Sequence, residues 1–109
     1  MNGFIYIMSN ENKSVLYTGV SSDLVGRIRQ HKSKKHPHSF SARYNVRMLV
    51  YYECFETIGE AIKREKQIKA GSRKKKMELI NSMNPEWKDL SSINNGIGGL
   101  LRPATPDSQ

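Results

Sequence analysis

Only one cysteine, Cys54, stands among the 109 residues, so the chain cannot close a disulfide within itself. The fold must then be held by its core, and the composition suits a reducing, cytoplasmic setting better than a secreted scaffold. Long apolar runs are missing too. No stretch approaches the roughly 20 residues of a membrane-spanning helix, so no membrane partner is expected. The apolar opening from Met1 to Met8 has no basic segment and soon meets Asn10–Lys13, which argues against a secretory leader. Acidic residues are scarce: ten Asp and Glu face eighteen Lys and Arg, a net charge of +8. A small domain this basic attracts polyanions, of which nucleic acid is the commonest inside a cell. A solvated, lysine-rich surface is the blander explanation. With 37% hydrophobic residues the chain suffices for one domain with a modest core, expected as a soluble monomer.

No internal repeat is visible. Phe4–Ser9 and Val15–Val20 are β-branched or aromatic runs around the turn-like Asn10-Glu11-Asn12-Lys13, which reads as a β-hairpin. Ser21 and Ser22 offer helix caps, with Asp23 in the first turn of a helix reaching about Lys32. The basic stretch from Ser33 to Arg43 reads as a loop. Met48–Phe55 reads as a third strand. Thr57-Ile58-Gly59-Glu60 is a capping box for a helix reaching about Ala70, with Gly71 as its C′ residue. Ser72 can cap another helix through about Met83, and Trp87 anchors a short last turn. Residues 1–90 form the expected domain, and 91–109 are expected to be a disordered tail.

Four features carry possible chemistry. A four-residue hairpin loop would pair Ser9 with Ser14 and set Tyr6 directly opposite Tyr17. Phe4, Tyr6 and Met8 would then share a face with Val15, Tyr17 and Gly19, while Ile5, Ile7, Leu16, Thr18 and Val20 form the core face. Paired phenols can bond phosphate oxygens or pass protons, although for two tyrosines taken by themselves a plain cross-strand aromatic pair is the better explanation. On the first helix Arg27 and His31 lie one turn apart on the border of a stripe of Leu24, Val25 and Ile28. An arginine there can grip phosphate and a histidine can move a proton near neutral pH; snorkelling side chains are the simpler alternative.

The third feature is Glu65. On the capped helix it falls at about 340° from Ile58, within the arc of Ala61, Ile62 and Ile68. A carboxylate on an apolar stripe is costly unless paired or bound to metal, so it is either a salt-bridge partner of Arg27 or a lysine, or a ligand for Mg²⁺. The fourth is Arg73-Lys74-Lys75-Lys76, a cationic run opening a helix against its dipole, which with Lys32, Lys34 and Lys35 suggests contact with a nucleic-acid backbone. His36 and His38 lack a third metal ligand and read as loop residues. Cys54 reads as a small buried hydrophobe.

The ordered set Phe4-Ile5-Tyr6, Leu16-Tyr17-Thr18-Gly19, Asp23-Leu24-x-x-Arg27 and Glu65 resembles the GIY-YIG endonuclease family, over about Phe4 to Ile80. The resemblance implies an α/β domain, a small central antiparallel three-stranded sheet flanked by helices. It also implies metal-dependent phosphodiester hydrolysis with one divalent ion, Mg²⁺ or Mn²⁺, and nucleic acid as partner, DNA in preference to RNA. Carried over residue by residue, Tyr6 and Tyr17 are the paired tyrosines, Arg27 the phosphate-binding arginine and Glu65 the metal ligand. His31 matches a histidine of some members. The first motif's glycine is replaced by Phe4, with Gly3 just before it. Val20 stands where the excision-repair branch has a lysine, which shifts proton handling toward His31. Met77 stands near the position of an asparagine used by several members, with Asn81 one turn later. Either phenol would need the metal or Arg27 to lower its pKa before serving as a base. The alternative is a module of the same fold that binds nucleic acid without cutting it, and a third possibility is a protein-interaction domain with Glu65 salt-bridged to Arg27.

Overall fold

The computed structural model describes residues 2–33 and 43–92. Lys34, Lys35, His36, His38 and most of the tail lie outside the described residues. Strands β1 (Gly3–Ser9), β2 (Leu16–Ser21) and β3 (Met48–Phe55) form an antiparallel sheet in the order β2-β1-β3. Helix α1 (Leu24–Ser33) follows β2, and α2 (Ile58–Ala70) and α3 (Arg73–Met83) follow β3. A single 3₁₀ turn, Leu90–Ser92, takes the fold past the expected start of the tail at Ser91.

β1 is the central strand, and its alternating residues feed two cores. Ile5 and Ile7 pack with Val50, Tyr51, Ala61, Ile68, Ile80 and Trp87, the side covered by α2 and α3. Tyr6 and Met8 pack with Leu24, Ile28, Val46 and Leu49, the side covered by α1. The sequence had suggested one core face; the second is closed because the α1 stripe is laid over it. A bulge between Ile7 and Met8 pairs Ile7 with Tyr51 but Met8 with Leu49. Leu49 thus faces the α1 side, while both Val50 and Tyr51 join the core under α2.

The hairpin register differs from the expected one. Ser9 pairs with Leu16, Met8 with Tyr17 and Tyr6 with Gly19. The cause is Asn10. Its Oδ1 accepts the N–H groups of Ser14 (2.9 Å) and Val15 (3.1 Å), and its Nδ2 donates to Ser14 Oγ (2.7 Å). These residues are thereby held by a side chain, and the ladder begins only at Leu16. Lys13 closes the turn in the left-handed region at φ 63°.

The helix starts follow local chemistry. Asp23 is the cap of α1, its Oδ1 accepting from Gly26 N–H at 3.0 Å, rather than a residue of the first turn. Thr57 Oγ1 accepts from Glu60 N–H at 3.2 Å, and Ser72 Oγ from Lys75 N–H at 3.1 Å. Gly71 ends α2 in an extended conformation (φ −79°, ψ 166°) and leads directly into Ser72, the cap of α3. Ile62, placed by periodicity on the packed arc, is 38% exposed. Cys54 is exposed as well, contrary to the buried role expected, because it lies near the outer end of β3 opposite Phe4.

Candidate functional site

β1 delivers Tyr6 and β2 delivers Tyr17. Because the register is displaced by two residues, an even number, both phenols keep the same face but sit diagonally instead of directly opposite. Their ring centroids are 6.3 Å apart. Tyr6 lies flat across Gly19: a Cβ at that position would come within 2.4 Å of its Cζ and Oη. The glycine beside the second tyrosine is therefore the space through which the first tyrosine's phenol passes.

α1 adds His31 and Arg27. His31 Nε2 and Tyr6 Oη are 3.2 Å apart, and the His31 ring stands edge-on to Tyr6 (5.8 Å) and Tyr17 (5.2 Å). His31 is buried rather than at the seam expected for it, and its Nδ1 has no hydrogen-bond partner among the described residues. Burial, and then the Arg27 guanidinium, hold its pKa below the ordinary value, so the ring is neutral at pH 7. Arg27 is half-buried. It also acts on Tyr6, favouring phenolate by charge and hydrogen bonding, while Glu65 on α2 opposes ionisation. Burial outweighs Arg27: with Tyr17 adding to it, the Tyr6 phenol is pushed up to about 12. The lowering expected from Arg27 is overruled by desolvation, and Tyr6 keeps its proton at neutral pH.

α2 lies against β1 and β2 and brings Glu65 within electrostatic reach of the Tyr6 phenol. The Glu65 side chain is only 12% exposed, and its Oε2 is 2.6 Å from Lys69 Nζ, one turn along. Of the two explanations that periodicity left open, a lysine partner is present. Among the described residues no three His, Cys, Asp or Glu side chains cluster as a ready metal cage. Tyr6, Tyr17 and His31 thus meet from two strands and α1, with Arg27 and, from α2, Glu65 within electrostatic reach of the Tyr6 phenol.

The expected phosphate contacts are more scattered. Lys32 is paired with Asp89 at 2.6 Å, and Asp89 also accepts the N–H of Leu49 at 3.1 Å, so this lysine ties α1 to the 3₁₀ turn and β3. Burial acts to raise the Asp89 pKa, but hydrogen bonds from Lys32, Ser91 and the Leu49 N–H hold it below the ordinary carboxylate value. Arg73 donates to the Lys13 carbonyl, tying α3 to the hairpin loop. Lys74 and Lys75 are exposed and Lys76 is half-buried. Asn81 accepts from Trp87 Nε1 at 2.8 Å, and Met77 packs against the core under α2, so neither joins the tyrosines.

Two networks escaped sequence reasoning. Arg64 grips Glu53 through Nε (3.0 Å) and Nη2 (3.1 Å), and the Tyr51 hydroxyl donates to the same carboxylate. This fixes α2 to β3 one residue before Glu65. Lys69 is the other omission; its position four residues after Glu65, the favoured orientation for a helical ion pair, was the available signal.

Residues 2–78 match the family described as the GIY-YIG catalytic domain. A UPF0213 protein of Staphylococcus saprophyticus is 42% identical over 78 residues, covering 72% of this chain and 93% of its own. One from Haloquadratum walsbyi is 37% identical over 76 residues, covering 70% and 83%. The solution structure of a UPF0213 protein from Bacillus halodurans superposes with a TM-score of 0.52 at 30% identity, covering 86% of this chain and 98% of that one.

Proposed function

Since the chain belongs to the GIY-YIG family, a family of nucleases, we propose that it is a divalent-metal-dependent endonuclease that hydrolyses phosphodiester bonds in DNA with little sequence preference. The supporting observation is the contact of Tyr6, Tyr17 and His31, with Arg27 and the sequence-distant Glu65 both acting electrostatically on the Tyr6 phenol. In this reading Arg27 binds the scissile phosphate and offsets its growing charge. Tyr17, half-buried where Tyr6 is closed off, orients the attacking water. Tyr6 stays protonated and fixes His31. The neutral His31 imidazole is the group in this cluster able to accept a proton near pH 7.

GIY-YIG nucleases generally use divalent ions. The donor set here fits such an ion: Glu65 supplies one recessed carboxylate, and Mg²⁺ accepts water and substrate phosphate oxygens as its remaining ligands. When bound, the ion would supply charge that polarises the phosphate and stabilises the leaving oxygen.

Incubation with supercoiled plasmid and with single-stranded DNA, in Mg²⁺ or Mn²⁺, tests this proposal. Wild type is expected to nick and Glu65→Ala to be inactive. Nicking by wild type no greater than by Glu65→Ala would sink the enzyme reading. Retained DNA binding in both proteins would then favour a non-catalytic module.

A further inference from the structure

The Glu65–Lys69 pair has an uneven burial. The carboxylate is 12% exposed and the lysine 54% exposed, with Oε2 and Nζ 2.6 Å apart. The acid is therefore recessed, within electrostatic reach of Tyr6, and the ammonium is its more exposed partner. Glu65 comes first and Lys69 four residues later on α2, which is the orientation that best aligns such a pair. The other residues at helical neighbour spacing from Glu65 are Ala61, Ile62 and Ile68, none of which can carry a compensating charge. Arg27 on α1 acts electrostatically on the Tyr6 phenol, and among the described residues the ion pair on Glu65 is made by Lys69. A recessed carboxylate without a counter-charge is costly, and Lys69 removes that cost.

A divalent ion bound by Glu65 would need the same carboxylate. Lys69 holds one of its two oxygens, Oε2, and an ammonium and a divalent ion on one recessed carboxylate repel each other at short range. We propose that Lys69 is a cationic placeholder: it neutralises Glu65 in the metal-free chain and must leave that carboxylate before a divalent ion can bind. Lys69 then sets a threshold for metal loading. Its flexible stem leaves the released ammonium free to meet a substrate phosphate, so loading and substrate arrival favour one another. This inference rests on the reading of Glu65 as the metal ligand.

Mn²⁺ titration followed by the EPR signal of the free ion measures the competition without reference to catalysis. It is run with and without a duplex carrying uncleavable phosphorothioate linkages. Lys69→Met is expected to bind Mn²⁺ about two- to fivefold more tightly than wild type, the factor an ion pair of this exposure represents. Lys69→Arg, which keeps the cation, should match wild type. The gain should vanish in Lys69→Met/Glu65→Gln. Thermal melts without metal establish that each variant is folded, and Mn²⁺ should raise the melting temperature of Lys69→Met more than that of wild type. If wild-type binding depends on Glu65 but Lys69→Met binds no more tightly, the placeholder is wrong and the metal site stands. If neither protein shows Glu65-dependent binding under either condition, the metal site and the placeholder both fail.

Discussion

Tyr6 shows how far burial can reverse the chemistry suggested by a residue's type. Two tyrosines beside an arginine invite a base, yet desolvation at a fully buried position pushes the Tyr6 phenol up to about 12. Tyr51 reaches about 12 by the same main cause, with Glu53 adding to it. Both phenols ionise near 10 once unfolded, so between those values the unfolded chain releases protons that the native chain keeps. Their contribution is intact below pH 10 and is lost as pH rises toward 12. Chemical denaturation at pH 9 and pH 11.5 should show a steep loss, of which each phenol accounts for on the order of 2 kcal/mol. Tyr51→Phe should shrink that loss, and an unchanged loss would show that the Tyr51 phenol is not held protonated. Sequence could place both tyrosines on β-strands, but depth of burial is a property of what α1 and α2 lay over them.

At the scale of elements, α2 decides where Glu65 points, and three contacts fix that helix. Thr57 caps it, Arg64 clasps Glu53 on β3, and Gly3 lets it approach β1. A Cβ at Gly3 would lie 2.7 Å from Ile58 Cα and 2.9 Å from the Thr57 carbonyl oxygen, so backbone would have to give way. Gly3→Ala is therefore expected to cost about 1–3 kcal/mol, measurable by urea denaturation, and to impair nicking by tilting Glu65 from Tyr6. Full stability in Gly3→Ala would show that α2 has slack at this contact. The capping box, Ser72 and the third strand were legible because they are local. The Gly3 contact was not, since no spacing along the chain says which glycine will meet a helix more than fifty positions away. Asn10 misled for a related reason: its side chain holds backbone that a tight turn would have left to the ladder.

For the whole molecule, a net charge of +8 sets the attraction to polyanions but not which cations make contact. Lys32 and Arg73 are engaged within the fold, whereas Lys74 and Lys75 are exposed. DNA affinity should fall linearly with the logarithm of salt concentration. Lys74→Gln with Lys75→Gln should reduce that slope by about 2, roughly 0.9 for each phosphate contact removed. Lys32→Gln should leave the slope nearly unchanged and lower stability instead. An unaltered slope in the double variant would place the DNA path elsewhere on the surface.

The sequence by itself determined the strand and helix order, the Thr57 and Ser72 caps, the family and the odd standing of Glu65, because these depend on residue type and short-range period. It also put both tyrosines on one face, a result that survived the wrong register because the error was an even number of residues. Tertiary structure alone decided that both sheet faces are buried, that Tyr6 passes over Gly19 to His31, and that Lys69 rather than Arg27 forms the ion pair with Glu65. Those outcomes depend on which surfaces meet and how much water they exclude, and neither quantity is carried by spacing along a chain.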